Sequence, residues 1–249
     1  MLPTPNQSVW QRTALYGVLF MMGADMFVVP MLIPAMAATL GSSISQTAFI
    51  VSAFGIAYAG SCPLLAGLVH AWPSRTVIGV GLGIVVIACT TAIFANSIAM
   101  LVAARTASGV GAAIVNPVVW SRLHTTAAGY ARGPVMLGGT AVSAAGQVVG
   151  IPLGTLVAAH SGWQLAFGAL AVGFAAVGIG TRITMSRYVE FADSQRSHTA
   201  AIGALRLWRT PTFTLAITSN IATQAARLGT FPNFSSKWRT RCSRLRGGA

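Results

Sequence analysis

The chain has 249 residues, of which 54% are hydrophobic and 8% charged, with a mean hydropathy of +0.70 and a formal net charge of +13. Soluble domains carry about 25% charged residues, so one soluble core of this length would lack the charge to cover its surface. The same hydrophobicity excludes disorder. At about 20 residues per crossing there is room for six or seven bilayer helices, and the expected fold class is an all-α, polytopic membrane protein.

Apolar runs occur at residues 14–37, 46–69, 76–95, 98–120, 135–158 and 164–181, each near the length of a spanning helix. Prolines and glycines within them do not veto helix, because membrane helices tolerate both. Ala35-Met36-Ala37 resembles a signal-peptide cleavage site. The run before it is longer than an h-region of about 7–15 residues and contains Asp25, so an uncleaved first helix is expected.

Arginines set the topology. Arg12 precedes span one, Arg75 lies between two and three, and Arg122 and Arg132 lie between four and five. Arg182, Arg187, Arg196, Arg206 and Arg209 follow span six, whereas the connections one–two, three–four and five–six contain no arginine. By the positive-inside rule the N-terminus and the segment after span six face the cytoplasm, which also accounts for much of the basic charge without nucleic acid. The expected organisation is a cytoplasmic N-terminus at 1–13, a six-helix transmembrane domain at 14–181 and a cytoplasmic loop at 182–212. A partial seventh helix at 213–227 and a basic, irregular tail at 228–249 follow. Asn220, Gln224 and Arg227 cut the seventh run short, and the tail carries Lys237, Arg239, Arg241, Arg244 and Arg246 without an acid. It reads as an out-of-frame or truncated end of a longer gene; a polybasic segment on an anionic leaflet is the alternative.

Asp25 is the only acid inside a span; the other two, Glu190 and Asp193, follow span six. An ionised acid at a helix centre costs about 2.5–3.5 kcal/mol on insertion scales. Such a residue faces a cavity or partner and suits proton binding, or else serves as a structural hydrogen-bonding group. Counting from the span ends places Asp25 about 16 Å from one surface and Arg105 about 10 Å from the other. In a core of roughly 30 Å the two depths differ by only a few Å, so the pair is expected to share an interior polar site if spans one and four are neighbours. Packing against backbone carbonyls is the plainer role for Arg105.

On span five, Gly146, Gly150 and Gly154 repeat every fourth residue, and Ser143 and Gly139 extend the row. They form a strip of small residues for close helix approach, and Pro152 suggests a bend. Cys62, Cys89 and Cys242 lack metal-ligand spacing, and no metal or disulfide framework is expected. His70, His124, His160 and His198 fall in or beside loops without a metal or hydrolase motif, so an enzyme is not expected.

These residues resemble the major facilitator superfamily, in particular its twelve-helix drug:proton antiporter branch. Gly23-Ala24-Asp25-Met26-Phe27-Val28-Val29-Pro30 is similar to that branch's acidic first-helix signature. Leu101–Ala113, with Arg105, Gly109 and Gly111, is similar to its fourth-helix motif, with Ser108 in place of the usual glutamine. Gly146–Gly154 with Gly150-Ile151-Pro152-Leu153-Gly154 resembles the fifth-helix antiporter motif, and Gly162-Trp163 with Phe167 resembles the opening of helix six, with Gln164 where arginine is frequent. The loop after helix two departs from the family's Gly-x-x-x-Asp-Arg-x-Gly-Arg-Arg: Ala66, His70, Ala71, Pro73, Ser74 and Arg75 stand there, and only the last arginine matches. The resemblance covers residues 12–215, half of a family transporter.

The resemblance implies proton-coupled efflux of a drug, sugar or similar small molecule from a bacterial inner membrane by alternating access. Asp25 and Arg105 would couple the proton, the proton gradient would replace any cofactor, and His70 and Arg75 would occupy the gate loop. Substrate binds between two six-helix halves in such proteins. A second half-transporter or a second copy is therefore an expected partner beside the bilayer and the substrate, with an inactive fragment as the alternative.

Overall fold

A computed structural model describes residues 5–127 and 131–185. The readings for the loop beyond residue 185, the partial seventh helix and the basic tail lie outside the described residues. Within them the chain is all-α: α1 (Pro5–Thr39), α2 (Ile44–Ala71), α3 (Ser74–Ile93), α4 (Ile98–Thr126), α5 (Arg132–Ser161) and α6 (Trp163–Thr184). All six contain a stretch long and apolar enough to cross a membrane, which makes the chain a multi-pass membrane protein.

The helices overrun the apolar stretches. α1 starts at Pro5, so most of the segment assigned to a separate N-terminus is helical, and α4 continues from 120 to Thr126. Hydropathy marks the hydrocarbon core, whereas helix persists wherever its backbone and ends find partners. Here Gln11 Nε2 donates to the Thr184 carbonyl at 3.2 Å and Arg12 Nη2 to the Thr126 carbonyl at 3.1 Å. The first turns of α1 thus satisfy carbonyls left open at the ends of α6 and α4. Pro30, Pro34, Pro117 and Pro152 all lie inside continuous helices, as membrane packing permits.

Short polar devices turn the chain at the opposite end. Ser43 and Gln46 form a capping box at the start of α2, and Ser97 Oγ accepts from Met100 N at 3.3 Å at the start of α4. Gly162 alone links α5 to α6, with φ +83° and ψ 160°, a backbone region essentially reserved for glycine. Trp163 Nε1 then donates to Thr39 Oγ1 at 2.8 Å and ties the start of α6 to the end of α1. Gly162→Ala is expected to lower stability by about 1–3 kcal/mol. Thermal melting of the purified variant against Gly133→Ala, at a helical glycine with open space around it, would check this.

The main packing pairs are α1 with α5, α2 with α4, α3 with α4, α3 with α6 and α1 with α6. Exchanging α1 for α4, α2 for α5 and α3 for α6 turns the α1–α5 joint into α4–α2 and the α3–α4 joint into α6–α1, and returns α3–α6 to itself. The fold is therefore a pair of three-helix repeats. Three crossings are an odd number, so the second repeat runs inverted in the bilayer. The same exchange relates the two peripheral helices: half of α4's most apolar stretch is buried in the bundle, against 11% in α2 and 17% in α5.

Candidate functional site

Asp25 on α1 and Arg105 on α4 meet in the interior, 80 residues apart in sequence, with Nη1 2.8 Å from Oδ1 and each side chain 3% exposed. α1 and α4 are the helices that the repeat relates, so the ion pair bridges equivalent elements of the two repeats. Asp25 is the only acid among the described residues. A buried pair of this kind holds two desolvated charges that neither partner can leave without exposing the other.

Residues around the pair hold Arg105 in place. Its guanidinium carbon stands 4.6 Å from the centre of the Phe54 ring on α2, a cation–π contact. Phe54 in turn stacks on Tyr58, centroids 6.2 Å apart and planes at 11°. Tyr58 accepts a hydrogen bond from Asn116 Nδ2 at 2.8 Å, so an aromatic–amide chain runs along the α2–α4 joint from Arg105. Arg105 Nε and Ser108 Oγ are buried and make no hydrogen bond among the described residues.

The glycines of the fourth-helix motif make this approach possible. A methyl group added at Gly109 would stand 2.6 Å from the Phe54 carbonyl oxygen, and one at Gly111 would stand 2.8 Å from the Gly81 carbonyl oxygen on α3. Bare backbone on two faces of α4 therefore lets α2 and α3 close upon it, and Phe54 reaches Arg105 as a result.

On α5, the glycine row tracks α1 residue for residue. A Cβ at Gly146 would overlap the Phe20 carbonyl, one at Gly150 would lie 3.0 Å from Ala24 Cα, and one at Gly154 would lie 2.8 Å from Val28 Cγ1. Gly139 packs against Trp120 and Leu19, while on α1 itself Gly23 admits the Ser143 carbonyl. The strip thus fixes the segment of α1 that carries Asp25. Pro152 lies on the exposed side of the same helix.

The loop after α2 is remote from the pair. Arg75 sits in the first turn of α3, half-buried. Cys89, whose sulfur lies within electrostatic range of both Asp25 and Arg105, is fourteen residues further along, or roughly 20 Å of helix. His70 occupies the last turn of α2, and its side chain lies outside the described residues. Between α1, α5 and α6 is a cavity of about 200 Å³ lined by Met21, Val28, Leu153 and Leu170 among others. Its lining carries no ionisable side chain.

Sequence reasoning missed Phe54, Tyr58, Asn116 and the packing role of Gly23. Tyr58 and Asn116 were detectable as polar side chains within spans, which lipid disfavours unless they find partners.

A bundle of six crossings built from inverted three-helix repeats, with an ion pair between repeat-related helices, belongs to the class of multi-pass transporter folds. The sequence model of the Major Facilitator Superfamily matches residues 15–237, and the chain belongs to that family. It is 31% identical over 222 residues, 84% of this chain and 53% of the relative, to a chloramphenicol resistance protein of Streptomyces lividans. To YbcL, an uncharacterized MFS-type transporter of Bacillus subtilis (strain 168), it is 27% identical over 169 residues, 66% of this chain and 42% of that protein. The chain spans about half the length of these curated relatives.

Proposed function

We propose that this chain supplies the proton-coupling half of a transporter that exports a small, uncharged, drug-like molecule in exchange for protons, chloramphenicol being the first compound to test. The observation that carries the reading is the buried Asp25–Arg105 pair at 2.8 Å. Protonating Asp25 removes one charge of the pair and leaves Arg105 as an uncompensated cation in the bilayer interior. The conformation that offers Arg105 another partner or water then becomes favoured, which links proton binding to a change in packing. The glycine-lined α1–α5 and α2–α4 joints present flat surfaces along which such a change can occur.

The low burial of α2 and α5 supports a second six-helix unit as partner, because their apolar outer faces flank the helices that hold the pair. That unit is either another copy of this chain or the remainder of a longer protein. The expected location is the bacterial inner membrane, with the arginine-bearing end of the bundle in the cytoplasm.

The test is chloramphenicol movement in inside-out vesicles from cells expressing the chain, with and without a pH gradient. The expected result is gradient-dependent accumulation that collapses with nigericin and disappears in Asp25→Asn. Accumulation that Asp25→Asn leaves intact would remove the coupling role. No accumulation from the chain expressed alone, restored when a second six-helix unit is co-expressed, would assign the activity to the pair of units.

A further inference from the structure

The arginines at one end of the bundle differ in how they are satisfied. Arg12 donates to the Thr126 carbonyl at 3.1 Å, and Arg132 Nε to the Ala127 carbonyl at 3.1 Å. Arg75 and Arg182 make no hydrogen bond or ion pair among the described residues. They lie at the same joint: Arg182, in the last turn of α6, rests on Gly79 of α3, where an added Cβ would stand 2.7 Å from its Nη2. Arg75 is one helical turn before Gly79, on the same face of α3. The only acid among the described residues is Asp25, paired with Arg105 at mid-depth, so neither guanidinium has a counter-ion among the described residues.

We propose that the Arg75–Arg182 end of the α3–α6 joint binds the phosphate of an anionic phospholipid. Two guanidinium groups on adjacent helices present donor forks whose geometry suits phosphate oxygens. A soluble phosphate offers the same chemistry, but the surface on the bilayer side of the arginines favours a lipid. Val80 and Ile87 of α3 and Ile179 of α6 are 49%, 67% and 61% exposed, and Gly83 and Gly180 leave open space beside them. The cationic end of the joint therefore borders an exposed apolar surface on α3 and α6, along which an acyl chain lies once the headgroup is held. This assignment is independent of transport activity.

The experiment is native mass spectrometry of the full-length chain in mixed micelles. The probe is palmitoyl-oleoyl phosphatidylglycerol, and phosphatidylcholine with the same acyl chains is the reference. Wild type is expected to retain phosphatidylglycerol preferentially, and Arg75→Gln/Arg182→Gln to reduce that retention about 30-fold. Lysine at both positions should restore part of it. Arg12→Gln removes a charge from the same end but not from the joint; an equal loss from Arg12→Gln and Arg75→Gln would show diffuse attraction and overturn the site. Competition by inorganic phosphate or glycerol 3-phosphate at the lipid's concentration would show a soluble-anion site instead, and also overturn it. If the double variant does not fold, wild type alone decides. Its melting temperature should rise with phosphatidylglycerol over phosphatidylcholine and lose that rise at high salt, and an identical melting temperature in both lipids refutes the assignment.

Discussion

Asp25→Asn is expected to destabilise the bundle by about 3–5 kcal/mol, because it leaves Arg105 buried and charged without its counter-ion. Arg105 is 3% exposed and is held between the Phe54 ring and the carboxylate, so it cannot reach a membrane surface without displacing α2. Removing both charges should cost less than removing one: Asp25→Asn with Arg105→Met replaces a desolvated pair by neutral groups, a change that is often close to neutral for stability. Denaturant-induced unfolding in detergent of the two single variants and the double variant would give the coupling energy. A fully additive double variant would show that the pair contributes no interaction of its own.

Gly146→Val is the second substitution expected to have a large effect. Its Cβ would fall on the Phe20 carbonyl, and a backbone atom cannot swing aside as a side-chain end does. Overpacking of this kind costs about 1–3 kcal/mol and occasionally more; because α1 itself must move, we expect the upper part of that range. Asp25 lies five residues beyond Phe20, so the displacement should also weaken its bond to Arg105. Gly154 is the instructive comparison. There the obstacle is a Val28 methyl, and Gly154→Ala should cost less. At Gly60 nothing lies within 4 Å, so alanine should be neutral or gain up to about 1 kcal/mol of helix propensity. Melting temperatures of the three variants would rank them, and an equal effect at Gly146 and Gly60 would contradict the close α1–α5 contact.

The number and order of the helices were legible because each crossing needs a long apolar run and the loops are short. Their ends were not. Trp10, Gln11 and Arg12 lower the hydropathy at the start of α1, yet the helix continues because its polar side chains donate to the ends of α4 and α6. Depth arithmetic brought Asp25 and Arg105 to similar levels from opposite surfaces, and the structure has them in contact. Depth says nothing about which helices are neighbours, so Phe54 of α2, which covers Arg105, could not be read from it. The regular spacing of Gly146, Gly150 and Gly154 announced a close joint. The identity of its partner, α1, required the tertiary fold, as did the place of Gly23 opposite Ser143.

The α1–α5 joint is also periodic. Gly146, Gly150 and Gly154 face Phe20, Ala24 and Val28, two rows that both advance by four residues and run in the same direction. Such a joint has a natural pitch of about 6 Å, four residues at 1.5 Å each. A shift of α1 by one step would bring two of the three glycines opposite residues of the same row again, while carrying Asp25 a full turn away from Arg105. Close packing alone therefore leaves the register of this joint repeatable, and the ion pair singles out the one that is occupied.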